Sequence, residues 1–75
     1  MPVDEPHRVV CRLDDLLEAR GMTLTALAEA IGVSIVNLSV LKNQRAKAVR
    51  FSTLTAICEA LDCQPGDLFL VDRPA

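Results

Sequence analysis

Residues 23–42 read "TLTALAEAIGVSIVNLSVLK", and the reading of this stretch decides the fold. Leu27, Ala28 and Ile31 recur at helical spacing, and Thr23 stands ahead of them as a natural N-cap. Gly32 can adopt a positive φ without steric penalty, so it can end that helix within one residue. Ser34 then caps a third helix, Ile35 to about Lys42, anchored by Leu38 and Leu41. Ala28 falls where the two helices would cross, and a larger side chain there would push them apart. Val33 plugs the turn into the core. Two short helices separated by three residues, with every apolar position given a packing task, are the sequence form of a helix-turn-helix.

Working outward, Leu13, Leu16 and Leu17 fall on one face of a first helix. Asp14 and Asp15 lie in its first turn, where the helix dipole favours negative charge, and Gly21 stops it. Beyond the loop "NQRAKAVR", Ser52 is expected to cap a fourth helix with the stripe Leu54, Ile57, Cys58 and Leu61. Pro65 opens a single turn, "PGDLF". "FLVDR" is extended and apolar enough to pair with "RVVCR" as a terminal β-ribbon. The expected organisation is a frayed tail over residues 1–7 and one domain over residues 8–72, close to the smallest size that folds unaided.

Composition narrows the function. Half of the 75 residues are apolar, but there is no Trp or Tyr and only two Phe, so the core must come from aliphatic side chains on close-packed helices. No apolar run is long enough to cross a bilayer and the start lacks the pattern of a secretion signal, so the expected place is the cytoplasm. Three cysteines cannot all pair within one chain and read as reduced thiols. His7, Cys11, Cys58 and Cys63 lack the spacing of a zinc knuckle, and Cys11 and Cys58 fit better as small buried hydrophobes. One His, no Ser/His/Asp set and no Gly-rich phosphate loop argue against an enzyme. No metal and no cofactor are expected.

Charge distribution says more than net charge. The total is -2, but residues 1–33 carry -3, residues 34–57 carry +4 without a single acid, and residues 58–75 carry -3. The four cations are Lys42, Arg45, Lys47 and Arg50. A phosphate backbone feels the local field, because screening acts over only about 8 Å at physiological salt. No acid within the segment can pair with them, although Lys42 also suits a helix C-terminus on dipole grounds alone.

The outward face of the third helix completes the pattern. Val36 and Val40 lie about 160° and 200° around the helix from Leu38, away from the core. Folding does not explain two outward valines. The thymine methyl in the major groove offers an aliphatic partner, with Asn37, Ser39 and Asn43 adding polar contacts while the cations grip phosphate. The competing reading is a protein-interaction module, antitoxin-like in character, that meets its partner through Val36 and Val40.

The stretch from "MTLTALAEAIGVSIVNLSVLKNQRAKAVRF" to "ALDCQPGDLF" resembles the Cro/C1-type (Xre-like) helix-turn-helix regulators, across residues 13 to about 70. The resemblance implies a compact all-α, five-helix, phage-repressor-like domain, with residues 35–42 entering the major groove of double-stranded DNA and no cofactor. It implies base reading by Ile35, Val36 and Val40, with Asn37 beside them. Phosphate contacts would come from Thr23 and from Asn43, Arg45, Lys47 and Arg50. Two departures stand out. Ile and Val occupy positions where phage members commonly carry Gln, Ser, Asn or Arg, so bidentate base recognition is closed to them. Leu24 and Ala26 replace the Gln and the acid often found in the second helix, leaving Thr23, Thr25 and backbone donors for phosphate. Few phosphate contacts bind weakly, so a homodimer reading two half-sites is expected, joined through the terminal ribbon or apolar residues of the last two helices.

Overall fold

The computed structural model describes residues 7–72. The elements run β1 (Val9–Cys11), α1 (Leu13–Arg20), α2 (Leu24–Ile31), α3 (Ile35–Lys42), α4 (Phe51–Leu61), α5 (Pro65–Leu68) and β2 (Phe69–Val71). The expected tail, residues 1–6, lies outside the described residues, and His7 stands just ahead of β1.

The helix ends follow the local sequence. Thr23 Oγ1 accepts a hydrogen bond from Ala26 N–H at 3.0 Å, and Ser34 Oγ accepts one from Asn37 N–H at 3.1 Å. Each satisfies one of the donors that a helix start leaves orphaned. Gly21 and Gly32 close α1 and α2 at φ 65° and 72°, the left-handed region that glycine enters freely. Pro65 occupies the first position of α5, and Gln64 and Asp67 cap its start reciprocally.

α4 departs from expectation. Ser52 does not cap it: the helix starts at Phe51, with Arg50 as the extended N-cap residue and no side-chain capping bond. Leu54 N–H bonds to Arg50 O at 2.9 Å, so Ser52 already lies inside the first turn and not ahead of it. The first amides of this helix therefore have no side-chain acceptor. At the other end Asp62 takes the left-handed position, φ 52°, that Gly fills elsewhere. Arg20 supports that turn from α1: Nε donates to Leu61 O at 2.7 Å and Nη2 to Asp62 O at 3.1 Å. A cation on the last carbonyls of a helix satisfies both their hydrogen bonding and the dipole.

The core is aliphatic. Leu13, Leu27, Leu38, Ile57, Leu61 and Leu68 are fully buried, joined by Cys11, Leu17, Ala28 and Leu41, and Cys58 is buried on α4. α2 packs on both α3 and α4, and Ala28 is buried as a small crossing residue should be. Leu16 and Ile31 are only half-buried, at the margins of their stripes. The ribbon is real: β1 and β2 are antiparallel, pairing Val9 with Val71, Val10 with Leu70 and Cys11 with Phe69. It pairs the first and last elements of the described residues, and β2 packs against α5.

A candidate nucleic-acid interface on helix 3

α3 presents the face expected of a reading helix. Leu38 and Leu41 are buried; Val36 is 67% exposed, Ile35 is 44% exposed, and Asn37 is exposed between them. Val40 differs: it is half-buried, as is Ser39. The chain beyond Lys42 closes the helix end, with Asn43 N–H on Ser39 O and Arg45 N–H on Val40 O, each at 3.0 Å. The apolar outward surface is thus concentrated at the start of α3, on Ile35 and Val36, and thins towards Val40.

The polar candidates divide in two. Asn43 Nδ2 donates to Ser39 Oγ at 3.2 Å, so these two brace each other across one helical turn. The side chain of Asn37 makes no such bond among the described residues, since only its backbone N–H is engaged, by Ser34. Thr23 uses its oxygen as a cap acceptor, yet its hydroxyl hydrogen can still be donated, and Thr25 is exposed two residues along.

The cations also divide. Lys42 Nζ lies 3.3 Å from Asp14 Oδ2, an acid supplied by α1 and not by the basic segment itself. A dipole-favoured lysine beside a first-turn aspartate of another helix neutralises part of the expected charge. Arg45 and Arg50 are exposed and have no ion pair among the described residues. Lys47 is exposed and is engaged in an interaction of its own. Arg50 directly precedes the start of α4, whose first amides have no side-chain cap.

Two residues were invisible as functional parts in the sequence. Gln44, read as loop, takes a left-handed backbone, φ 67°, and its carboxamide bridges to β1: Cys11 N–H donates to Oε1 and Nε2 donates to Cys11 O, both at 2.7 Å. Nε2 also reaches Lys42 O at 3.2 Å. The segment carrying Arg45, Lys47 and Arg50 is therefore pinned to the ribbon at its first turn. A left-handed Asn-Gln step after a helix is a faint sequence signal; the partner 33 residues away leaves none. Phe51, 83% exposed, is the other, an aromatic ring beside Arg50 that burial patterns would have placed inside.

Among the described residues no group of three metal-ligating side chains is present, and no helix is long and apolar enough to cross a membrane.

Comparison with known proteins agrees with this geometry. The family model of the Cro/C1-type HTH DNA-binding domain matches residues 12–72. A curated relative, the uncharacterized HTH-type transcriptional regulator YozG of Bacillus subtilis (strain 168), is 52% identical over 60 residues, spanning 80% of this chain and 71% of that protein. The crystal structure of transcriptional regulator VanUg, Form II, superposes with a TM-score of 0.73 at 30% identity, covering 99% of each chain. The all-helical core with its short two-stranded ribbon, and the α2–turn–α3 unit at its surface, place this chain in the Cro/C1-type helix-turn-helix family of DNA-binding transcriptional regulators.

Proposed function

We propose that this protein regulates transcription by laying α3 in the major groove of double-stranded DNA, and that it does so as a homodimer in the cytoplasm. The observation that carries the reading is the start of α3. Ile35 and Val36 stand exposed on the second helix of a helix-turn-helix, with the exposed Arg45 and Arg50 following in a segment that holds no acid. Aliphatic groups at that place favour thymine methyls over the hydrogen-bonding edge of guanine. Val36 is the principal reader, Ile35 and Asn37 flank it, and Val40 and Ser39 contribute at the margin. Thr23, Thr25, Asn43, Arg45, Lys47, Arg50 and the open start of α4 supply phosphate contacts, which fix position without reading sequence. Lys42 joins them only by leaving Asp14.

Binding, not catalysis, is the proposed activity, and no cofactor enters it. With Lys42 held by Asp14, about three cationic phosphate contacts per copy give a log–log salt slope of roughly -3, and about twice that for a pair. A pair would read half-sites roughly 34 Å apart. Free thiols at Cys11, Cys58 and Cys63 accord with a reducing compartment.

Selection of bound fragments from a random duplex pool tests the mechanism. An A·T-rich consensus with thymines at the positions facing Val36 is expected. A consensus built on fixed guanines contacted through α3 would reject methyl reading, and no enrichment at all would reject DNA recognition.

A further inference from the structure

The same turn closes three helices. Met22 N–H returns to Leu17 O at 3.0 Å after α1, Val33 N–H to Ala28 O at 3.2 Å after α2, and Cys63 N–H to Cys58 O at 3.0 Å after α4. The residue just ahead of each returning amide, Gly21, Gly32 or Asp62, is left-handed. This closure carries the side chain of the returning residue towards that of the residue whose carbonyl it caps. The first two meetings involve apolar residues, Leu17 with Met22 and Ala28 with Val33. At the end of α4 both members are thiols, and Cys58 and Cys63 stand as neighbours.

This pair is both held and reachable. Arg20 fixes the turn by donating to Leu61 O and Asp62 O. Both thiols line a cleft of about 410 Å³ along α4, shared with Phe51, Leu54 and Pro65. Other polar groups there already have work: the Thr55 hydroxyl donates to Phe51 O at 2.8 Å, and Gln64 caps α5. Glu59 and Asp62 offer only hard carboxylate oxygens.

We propose that Cys58 and Cys63 form a two-thiolate site for a soft monovalent metal ion, copper(I), at the junction of α4 and α5. Thiolate sulfur selects soft ions, and two sulfurs suffice for one that accepts linear coordination. Zinc does not fit. It takes at least three protein ligands, and among the described residues no third His, Cys, Asp or Glu is grouped with the pair. Binding transfers no electrons: both thiols release their protons to solvent, two sulfur–copper bonds form, and the product carries one net negative charge. Arg20 favours negative charge on Cys63 and Asp67 opposes it. The ion clamps the last turn of α4 to the start of α5, so it binds the folded chain in preference to the unfolded one. The site shares no residue with those offered to DNA, and it stands whether or not the regulator reading holds.

The test titrates copper(I) into the reduced full chain, without oxygen, against the coloured copper(I) chelator bathocuproine disulfonate. Wild type should withhold one ion per chain, and Cys11→Ser the same. Cys58→Ser and Cys63→Ser should each lose at least about 100-fold in affinity, beyond the roughly 10–100-fold that a merely supporting residue costs. X-ray absorption on the wild-type complex should show two sulfur neighbours and no further ligand. Saturating copper(I) should raise the urea midpoint of wild type and leave that of Cys63→Ser unmoved. Four results overturn the inference: no copper withheld, a Cys11→Ser loss equal to that of Cys63→Ser, a shell of one sulfur or of three or more donors, or an unmoved wild-type midpoint. Absorption on wild type decides the matter even should Cys58→Ser fail to fold.

Discussion

The carboxamide of Gln44 makes the pair of hydrogen bonds to the main chain of Cys11 that a neighbouring strand would make. It does so from a left-handed backbone that costs a non-glycine residue about 1–2 kcal/mol. The two bonds must outweigh that cost, since they satisfy a buried residue's N–H and C=O. Gln44→Ala keeps the strained backbone and orphans both groups, so a loss of about 1–3 kcal/mol is expected in urea denaturation. It also exposes the outer edge of β1, so species larger than a dimer should appear on sedimentation. Gln44→Gly should be less destabilising, because it relieves the backbone while losing the same bonds. Equal losses in the two variants would mean that backbone strain plays no part.

The contact between Lys42 and Asp14 leads to an increase in DNA binding when it is removed. Both side chains are partly exposed, so the pair contributes only about 0–1 kcal/mol to folding. Asp14→Asn should leave the melting temperature nearly unchanged. It frees Lys42 for phosphate, so duplex affinity at low salt should rise and the salt slope should steepen by about 1. Weaker binding by Asp14→Asn would place Asp14, not Lys42, in the interface.

Most of the fold could be read from local chemistry. Thr23, Gly32, Ser34 and Pro65 each act within four residues of themselves, and their caps and turns were therefore readable. The aliphatic stripes of α1, α2 and α4 followed from helical periodicity alone. What escaped the sequence depends on contacts between distant segments. Val40 is half-buried despite its outward phase on α3, Asp14 reaches Lys42 from another helix, and Gln44 finds Cys11 across the domain. Ser52 misled for a different reason. A serine near a helix start resembles a cap, but Arg50 O had already accepted the first helical bond.

The caps should show this difference in measured stability. Thr23→Ala and Ser34→Ala each delete a bond to an otherwise orphaned amide, so each should lose about 1 kcal/mol. Ser52→Ala deletes none and should stay within about 0.5 kcal/mol of wild type. A Ser52→Ala loss equal to that of Ser34→Ala would show that α4 starts two residues later in solution, with Ser52 as its N-cap.

The reading face should separate from the gripping segment by its salt response. Arg45→Glu with Lys47→Glu removes two phosphate contacts and adds two acids, so retention on a heparin or duplex column should be lost with folding intact. Val36→Ser deletes a methyl contact and no charge. It should relax the preference for thymine at the facing position by about 1 kcal/mol in discrimination, with an unchanged salt slope. Loss of all DNA binding by Val36→Ser, with the double charge reversal silent, would instead favour a protein partner on this face.

Stability should also carry a signature at high pH, centred on Cys63. Burial first, then the neighbouring Cys58 and its hydrogen bond to Cys63, and then Asp67, push the Cys63 thiol up from 9.0 to about 11; Arg20 opposes them. In the unfolded chain this thiol ionises near its ordinary value, whereas the folded protein still holds the proton. Above about pH 9 the unfolded state therefore binds fewer protons, and linkage makes folding less favourable as pH rises, until both states ionise near pH 11. Below the ordinary value the contribution is complete and flat. Cys11 is raised too, chiefly by burial, so wild type must be compared with a single variant. Cys63→Ala removes this one titration, and its stability should fall less steeply than wild type between pH 9 and 11 in urea titrations. Parallel curves for the two proteins would mean that Cys63 ionises alike in the folded and unfolded chains.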